Sequence, residues 1–395
     1  MKRNILIFDP IGYMGGSKIA TLEMLQVGQN QPMHFYIISA NPDNWREQGN
    51  NCTIFKLPTM AFLISEQGWK YWAMQGFYLL MLMIIALRLP KIHQLMGISG
   101  PGVDMPLYLY KSLFDTPIVQ VIHGNVARSR SIGYCLSIAE KVFYLPCTKK
   151  SLFGALCRYY EKQPNIRSNS EMAQALFERH NFISFTNGLS QEKWPTPCNP
   201  NGSKLFWAAS LLKWKGLDLF VEALKIQPQD LHAHICYIQP QQTQLPVSEP
   251  DRSLPYSHWY QQPSNLDEIR ARCSIFVSTS HNEPFGLSIL EALAAGMAVI
   301  IPDDGAFWAE KLVDGEHCLK YQPNSARDLR LKIERLLASP ATRKRLSQNA
   351  KNLARLYRSE LCYKAIVESL SQTNPIKASA SKEIHRVKTS EKGAL

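Results

Sequence analysis

The sequence has no C-x-x-C pair, no internal repeat, no G-x-G-x-x-G or Walker A loop and no long apolar run. Each absence closes off a class of protein. The nine cysteines stand singly from Cys52 to Cys362. That odd, scattered set excludes a disulfide framework and a zinc site and fits a reducing compartment. Gly 21 and Pro 24 are too few and too dispersed for a collagen-like or low-complexity chain. Without self-similarity at a period of about 20–50 residues, a solenoid or propeller is excluded as well. The most membrane-like stretch, Phe77 to Leu87, ends at Arg88 and falls well short of the ~20 residues of a spanning helix. Acidic residues are in deficit, 32 against 44 Lys+Arg, for a net charge of +12. Such a balance favours anionic partners: a phosphorylated small molecule, an acidic membrane surface or a nucleic acid. No nucleic-acid-binding motif accompanies the charge, so nucleic acid is not expected as a partner.

What is present is an ordinary globular composition, 45% hydrophobic over 395 residues, enough for about two domains. The start, Met1-Lys2-Arg3-Asn4 then Ile5–Phe8 then Asp9-Pro10, is too short an apolar run for a secretory leader and reads as a buried first strand. Upstream of Phe77, Trp69, Lys70, Tyr71 and Trp72 mix aromatic and basic character. This region has two readings: a buried helix of an α/β domain, or a helix resting on an anionic membrane.

Strand-like and helix-like segments alternate. Strands are expected at 3–9, Met33–Ser39, Cys52–Leu57 and Pro117–His123, with helices at Ser17–Gln26, 66–89 and 104–114. A stretch rich in Pro, Asn and Gly, from Asn187-Gly188-Leu189 to Pro200-Asn201-Gly202, marks a boundary. The pattern then restarts, with strands at Leu205–Ala209, Leu231–Ile238, Ser274–Ser278 and Ala298–Pro302. Helices are expected at Asp218–Leu224, Asp267–Arg272, Leu287–Ala295, Ala326–Ala338 and Ala341–Leu370, and an exposed loop at Gln239–Pro255. The alternation implies parallel sheets covered on both faces: two Rossmann-like α/β halves facing a cleft. The expected division is 1–190, 191–355, a helix at 356–372 crossing back to the first half, and a disordered basic tail at 373–395.

Four motifs can carry chemistry. Gly12…Gly15-Gly16-Ser17 joins the first strand to the first helix, where backbone N–H groups can approach an anion; a structural tight turn explains it equally well. His123 ends a strand at the edge where such sheets bind ligands, against the alternative of a histidine with no role. Lys213-Trp214-Lys215-Gly216 places two lysines at a strand-to-helix connection, fit for a diphosphate or simply solvated. The fourth, Glu283-Pro284-Phe285-Gly286-Leu287-Ser288-Ile289-Leu290-Glu291, sets two acceptor-only carboxylates around a helix start. Carboxylates suit hydroxyl groups and free helix N–H groups suit phosphate, which together is the chemistry of a nucleotide sugar.

These residues resemble the GT-B-fold retaining glycosyltransferases of family 4. Glu283 to Glu291 is similar to the E-x7-E signature, followed by Ala292 to Ile300 and preceded by Ser278-Thr279-Ser280; Asp314-Gly315 and Asn187-Gly188 fit as well. The resemblance implies that Glu291 binds the donor ribose and Glu283 the donor sugar. It implies that Phe285, Gly286 and Leu287 offer N–H groups to sugar and phosphate, and that Lys215 holds the diphosphate. His123 would stand near the reaction centre, and Gly15 and Gly16 would form the N-terminal glycine loop. Two departures stand out. The family's Gly-Arg before the lysine is Ala209-Ser210 here, and the second glycine of its Gly-x-Gly is missing at Glu316-His317-Cys318. Lys213 is the candidate to supply the charge that Ser210 lacks.

The expected activity is transfer of a hexosyl group from a nucleotide-diphosphate sugar to a glycan or lipid-linked glycan, with retention, in cell-envelope or polysaccharide biosynthesis. No Asp-x-Asp occurs to hold a divalent ion, so no metal or other cofactor is expected. The expected location is the cytoplasm, in peripheral contact with an anionic membrane. A non-catalytic nucleotide-sugar-binding GT-B protein is the main alternative. A GT-B epimerase or phosphorylase and a nucleic-acid-binding protein are remoter ones.

Overall fold

The computed structural model describes residues 2–372 apart from 46–48, 50, 61, 63–67, 163–167, 180, 227–230 and 241–244. The expected tail from Thr373, the first residues of the expected 66–89 helix and part of the 239–255 loop lie outside the described residues.

The first half runs β1 (Arg3–Asp9), α1 (Gly16–Val27), β2 (Met33–Ser39), β3 (Cys52–Lys56), α2 (Gly68–Ala86), β4 (Gln94–Gly97), α3 (Met105–Phe114), β5 (Ile118–Ile122), α4 (Arg130–Ile138), β6 (Lys141–Tyr144), α5 (Lys149–Tyr160), α6 (Asn169–Phe177) and β7 (Phe182–Ser184). Its strands form one parallel sheet in the order β3-β2-β1-β4-β5-β6-β7. Ile5, Leu6, Ile7 and Phe8 are fully buried, because helices cover both faces of a parallel sheet and alternation disappears from its central strands.

The second half runs β8 (Leu205–Ser210), α7 (Leu217–Lys225), β9 (Ala233–Ile238), β10 (Ser257–Gln261), α8 (Leu266–Ala271), β11 (Ile275–Val277), α9 (Leu287–Ala295), β12 (Ala298–Pro302), α10 (Phe307–Lys311), β13 (Cys318–Tyr321), α11 (Ala326–Ala338) and α12 (Pro340–Ala354). Its parallel sheet has the order β10-β9-β8-β11-β12-β13. The chain then makes two short helices, α13 (Ser359–Cys362) and α14 (Lys364–Ser371), which pack on α1.

Two sheets with helices on both faces are what the alternation implied. Several elements escaped the pattern: β4, β6, β7, α4, α5, α6, β10 and β13. The strands among them are three to five residues long, β6 opens on Lys141, and β10 is polar, so none shows a clear apolar run. The helix expected over Ala341–Leu370 is broken. Arg358 takes extended geometry (φ −69°, ψ 138°) and forms a parallel bridge with Leu189, which interrupts the helix where the chain leaves the second sheet for α1.

Each half has a core of its own, and a third core spans the two. A single cluster of buried side chains runs from Ile5 and Met24 through Phe185 and Leu189 to Phe276, Leu290, Tyr363 and Leu370. At its centre Leu189 N–H donates to Tyr357 O at 2.9 Å and Ser359 N–H donates to Leu189 O at 3.0 Å. Gly188 is pressed against this clasp: a Cβ there would lie 2.9 Å from the Ser359 backbone N and Cα. Gly188→Ala is therefore expected to destabilise the chain by about 1–3 kcal/mol, seen as a lower urea midpoint. Gly16→Ala, where a Cβ meets nothing within 4 Å, should leave the midpoint unchanged or slightly raised.

Candidate functional site

Each sheet reverses its winding once, β1 standing between β2 and β4 and β8 between β9 and β11. Such a reversal leaves a crevice outside the carboxyl ends of the two strands, where the crossovers diverge. In the first sheet the crevice is lined by Asp9, Tyr13, Gly15, Ser17, Lys18 and Ser99. In the second sheet a pocket opens one strand further along, at the carboxyl ends of β11 and β12, beside Ser278, Ser280, Glu283, Asp304 and Trp308; Lys215, in the loop after β8, joins it through its ion pair with Glu283. The carboxyl edges of the two sheets meet where Cys147 Sγ donates to Pro284 O at 3.2 Å.

In the second crevice the loops after β8 and β11 are locked together. Gly216 has φ +72°, and a Cβ on it would lie 2.1 Å from Thr279 O. Only glycine meets both demands without strain. Thr279 Oγ1 donates to Lys215 O at 2.9 Å and accepts from Trp207 Nε1 at 2.9 Å; His281 N–H donates to Trp214 O at 2.8 Å. The lysine backbone so held directs its ammonium into an ion pair with Glu283, with side chains 17% and 14% exposed. The ammonium also sits 3.9 Å from the centre of the Trp214 ring. Lys213 turns away to Asp218 at 2.7 Å, both side chains about half exposed. Ser210 ends β8, half-buried.

Gly286 caps α9 and no side chain bonds the first-turn amides of that helix, so an anion would be stabilised at its start. The Phe285 ring does not face the crevice. It is buried against Phe307 (4.9 Å between ring centres), Trp308 (5.3 Å) and Tyr357 (6.2 Å), so Phe285 can offer only its backbone. Leu287 is half-buried and packs on the shared core. One turn further, Glu291 Oε2 accepts from Arg270 Nη2 at 2.8 Å. Arg270, 6% exposed, also reaches Asp267 at 3.1 Å, and Asp267 accepts from the N–H and hydroxyl of Thr196 (3.1 and 2.6 Å).

In the first crevice Gly15 caps α1 and Gly16 is its first residue. Behind them lies a buried ion pair, Asp9 and Lys18 at 2.8 Å, with side chains 1% and 5% exposed. Charges buried this deeply need further hydrogen bonds. Asp9 receives them from Trp45 Nε1 (2.8 Å) and Ser39 Oγ (2.9 Å), and Lys18 donates to Ile11 O at 2.6 Å. A second buried group supports the β4 edge: Asp104 accepts from Gln120 Nε2 (2.8 Å) and Ser99 N (3.0 Å). Burial raises the Asp104 carboxyl to about 7. His123 follows β5, edge-on to Phe185 with ring centres 5.4 Å apart. Neither of its ring nitrogens reaches a partner in good hydrogen-bond geometry. Burial drives the imidazole down to about 4, against the opposing pull of Asn187.

The structure thus joins Lys215 to Glu283 and sets both beside Gly286, while Glu291 is held apart by Arg270. Among the described residues, no hydrogen bond or ion pair ties His123, Gly15 or Gly16 to that group. The sequence reading missed Arg270, Asp267 and Thr196, and it missed Lys18. Lys18 stood beside the glycine motif, and a lysine that close to a helix start was the available signal. Arg270 had none, because its partner Glu291 is 21 residues away.

A histidine whose folded pKa is depressed contributes stability that is present above its unfolded pKa, near 6.5, and is lost as pH falls toward 4. His123 and His234 both behave so, each lowered to about 4 mainly by burial. The unfolding free energy should drop between pH 7 and 5, with about 1–2 kcal/mol of the drop removed in His123→Gln. Arg270→Ala should cost about 1–3 kcal/mol in urea unfolding, because it strands a half-buried carboxylate.

Comparison with known proteins is consistent along the chain. The family described as Glycosyl transferases group 1 matches residues 190–353. An N,N'-diacetylbacillosaminyl-diphospho-undecaprenol alpha-1,3-N-acetylgalactosaminyltransferase of Campylobacter jejuni is 34% identical over 94 residues, 24% of each chain. D-rhamnosyltransferase WbpZ of Pseudomonas aeruginosa is 22% identical over 263 residues, 63% of this chain and 66% of that one. The matched segments thus span less than two thirds of either relative. Among solved structures, Anabaena HepE in complex with UDP and glucose superposes with a TM-score of 0.70 at 15% identity, covering 93% of this chain and 99% of that one. The sucrose-phosphate synthase of Thermosynechococcus elongatus gives 0.69 at 15%, covering 93% and 98%. Residues 190–353 are a domain of the glycosyl transferases group 1 family, in a chain that has the GT-B fold.

Proposed function

We propose that the chain transfers a hexosyl group from a nucleotide-diphosphate sugar to a glycan or lipid-linked glycan, with retention and without a metal ion. The observation that carries this reading is the Lys215–Glu283 pair beside the free amides of α9, in the crevice between β8 and β11. A cation, a carboxylate and a helix N-terminus side by side match diphosphate and sugar hydroxyls. Residues 1–190 serve the acceptor, 191–355 the donor, and 356–372 cross back.

In this reading the ribose hydroxyls bind the Glu291 oxygen that Arg270 leaves open. The diphosphate takes Lys215 away from Glu283 and lies against the amides of Phe285, Gly286 and Leu287. Glu283, released, accepts from the sugar hydroxyls. The bond between anomeric carbon and phosphate oxygen then breaks, and charge grows on the departing phosphate. Lys215 and the α9 amides stabilise that charge. The acceptor hydroxyl attacks the same face and gives its proton to the departing phosphate. His123, neutral at working pH, hydrogen-bonds at the reaction centre from the opposite sheet, and Gly15 and Gly16 approach the sugar. Ser210 leaves this site one cation short of the family pattern; with Lys213 committed to Asp218, Lys215 is the principal charge.

Supporting the acceptor class, the Campylobacter relative's name carries a diphospho-undecaprenol acceptor, and a structural neighbour is the lipopolysaccharide glycosyltransferase WaaG. No helix among the described residues is long and apolar enough to cross a membrane. The protein is proposed to work in the cytoplasm, meeting its lipid-linked acceptor at an anionic membrane surface.

Nucleoside diphosphates and their sugars, offered without metal, should raise the melting temperature for one base only. Glu291→Ala should weaken that binding about 10–100-fold, the worth of a charge-assisted hydrogen bond. Lys215→Ala should lower kcat about a hundredfold with the fold intact. Wild-type turnover should persist in EDTA. A Lys215→Ala enzyme of normal rate would sink the assignment.

A further inference from the structure

Among the described residues, one face of helix α2 is left uncovered. Met74, Tyr78 and Leu82 pack into the first half's core. Opposite them Trp69, Trp72, Leu80, Ile84 and Leu87 are exposed by 72, 52, 48, 39 and 87%. Their spacing follows the helical repeat, so they form one straight stripe along the helix rather than scattered surface residues. A 19-residue helix makes that stripe about 28 Å long. A contiguous exposed apolar stripe on this scale marks an interaction surface.

The charges around it identify the occupant. From Gly68 to Lys91 the chain has no Asp or Glu, while Lys70, Arg88 and Lys91 are exposed at the two ends of the helix. A flat apolar stripe with tryptophans at one end and flanking cations matches the boundary between headgroups and acyl chains of an anionic bilayer. Orientation supplies the rest. Between parallel strands β3 and β4, α2 runs against the strand direction, so its tryptophan end lies at the carboxyl edge of the sheet. Tyr71 OH donates to Gly102 O at 2.7 Å, tying that end to the loop that carries Ser99 of the first crevice.

We infer that the exposed face of α2 docks the protein on an anionic lipid bilayer, with the first crevice opening beside the headgroup layer. A lipid-linked acceptor then enters that crevice from the side, its lipid remaining in the bilayer. The docking itself does not depend on the transferase reading; only its purpose does.

The test is co-sedimentation of the full chain with vesicles of phosphatidylcholine alone or mixed equally with phosphatidylglycerol. Binding to the mixed vesicles should exceed binding to the neutral ones at least tenfold. Trp69→Ser/Trp72→Ser/Leu87→Ser should lose at least tenfold on the mixed vesicles while its nucleotide-induced melting shift stays as in the wild type. Leu87→Glu, at a site too exposed to disturb folding, should lose severalfold by itself and keeps the test valid if the triple variant unfolds. The proposal is overturned if the wild type stays in solution, or if both variants bind like the wild type, which would assign adhesion to another basic segment. It is also overturned if the wild type is a dimer that Leu87→Glu converts to a monomer without vesicle binding in either form; the face would then belong to a second copy. Loss of nucleotide binding alone would sink the transferase reading and leave this one standing.

Discussion

Right-handed crossovers cannot cover the point at which a parallel sheet reverses its winding. That restriction organises the molecule. It opens one crevice between β1 and β4 and another between β8 and β11, both at carboxyl edges. The crossover helices start there with unpaired amides, so the openings that topology leaves are also the places where an anion is best stabilised. What remains for the side chains is to aim a few groups inward and to hold the two edges against each other. The second task falls to a narrow strip of backbone, in which Leu189 is clasped between Tyr357 and Ser359 and Ser190 N–H reaches the buried Glu23 at 2.5 Å.

The polar groups beneath the two crevices are arranged differently. Under the first, Asp9, Lys18, Ser39 and Trp45 saturate one another away from water. Such a cluster fixes the floor of the crevice that Asp9 and Lys18 line and holds the start of α1 in place. Under the second, Lys215 and Glu283 satisfy each other only in pairs and remain partly open. An anion could exchange for one of them without leaving a buried charge stranded, which a saturated cluster would not allow.

Legibility in the sequence followed the same division. Strands that are continuous apolar runs, such as Ile5–Phe8 and Ala298–Pro302, were plain, and so was the glutamate-framed start of α9. The region between His123 and Asn187 was opaque, because β6 and β7 are four and three residues long and carry too little pattern to stand out. Residue types at the crevices could be read, but pairings could not. That Lys215 meets Glu283, or that Arg270 meets Glu291, depends on how two loops or two helices pack, and no local pattern reports it. The break at Arg358 was hidden for a related reason. Its local sequence permits a helix, and a bridge to Leu189 overrides that preference.

The segment between β7 and β8 has a practical consequence for building hybrids from proteins of this shape. It looks like a connector, yet it is fastened on both sides: Thr196 to Asp267, Cys198 N–H to Ala295 O, Asn199 N–H to Ala271 O, and Leu189 to the chain on its return. A graft cut within it would leave Asp267 without Thr196, and with it the support of Arg270 and Glu291. Recombination that preserves the second crevice therefore has to move 187–199 with the second sheet and carry 355–371 along, so that the seam falls across α1 rather than through the connector.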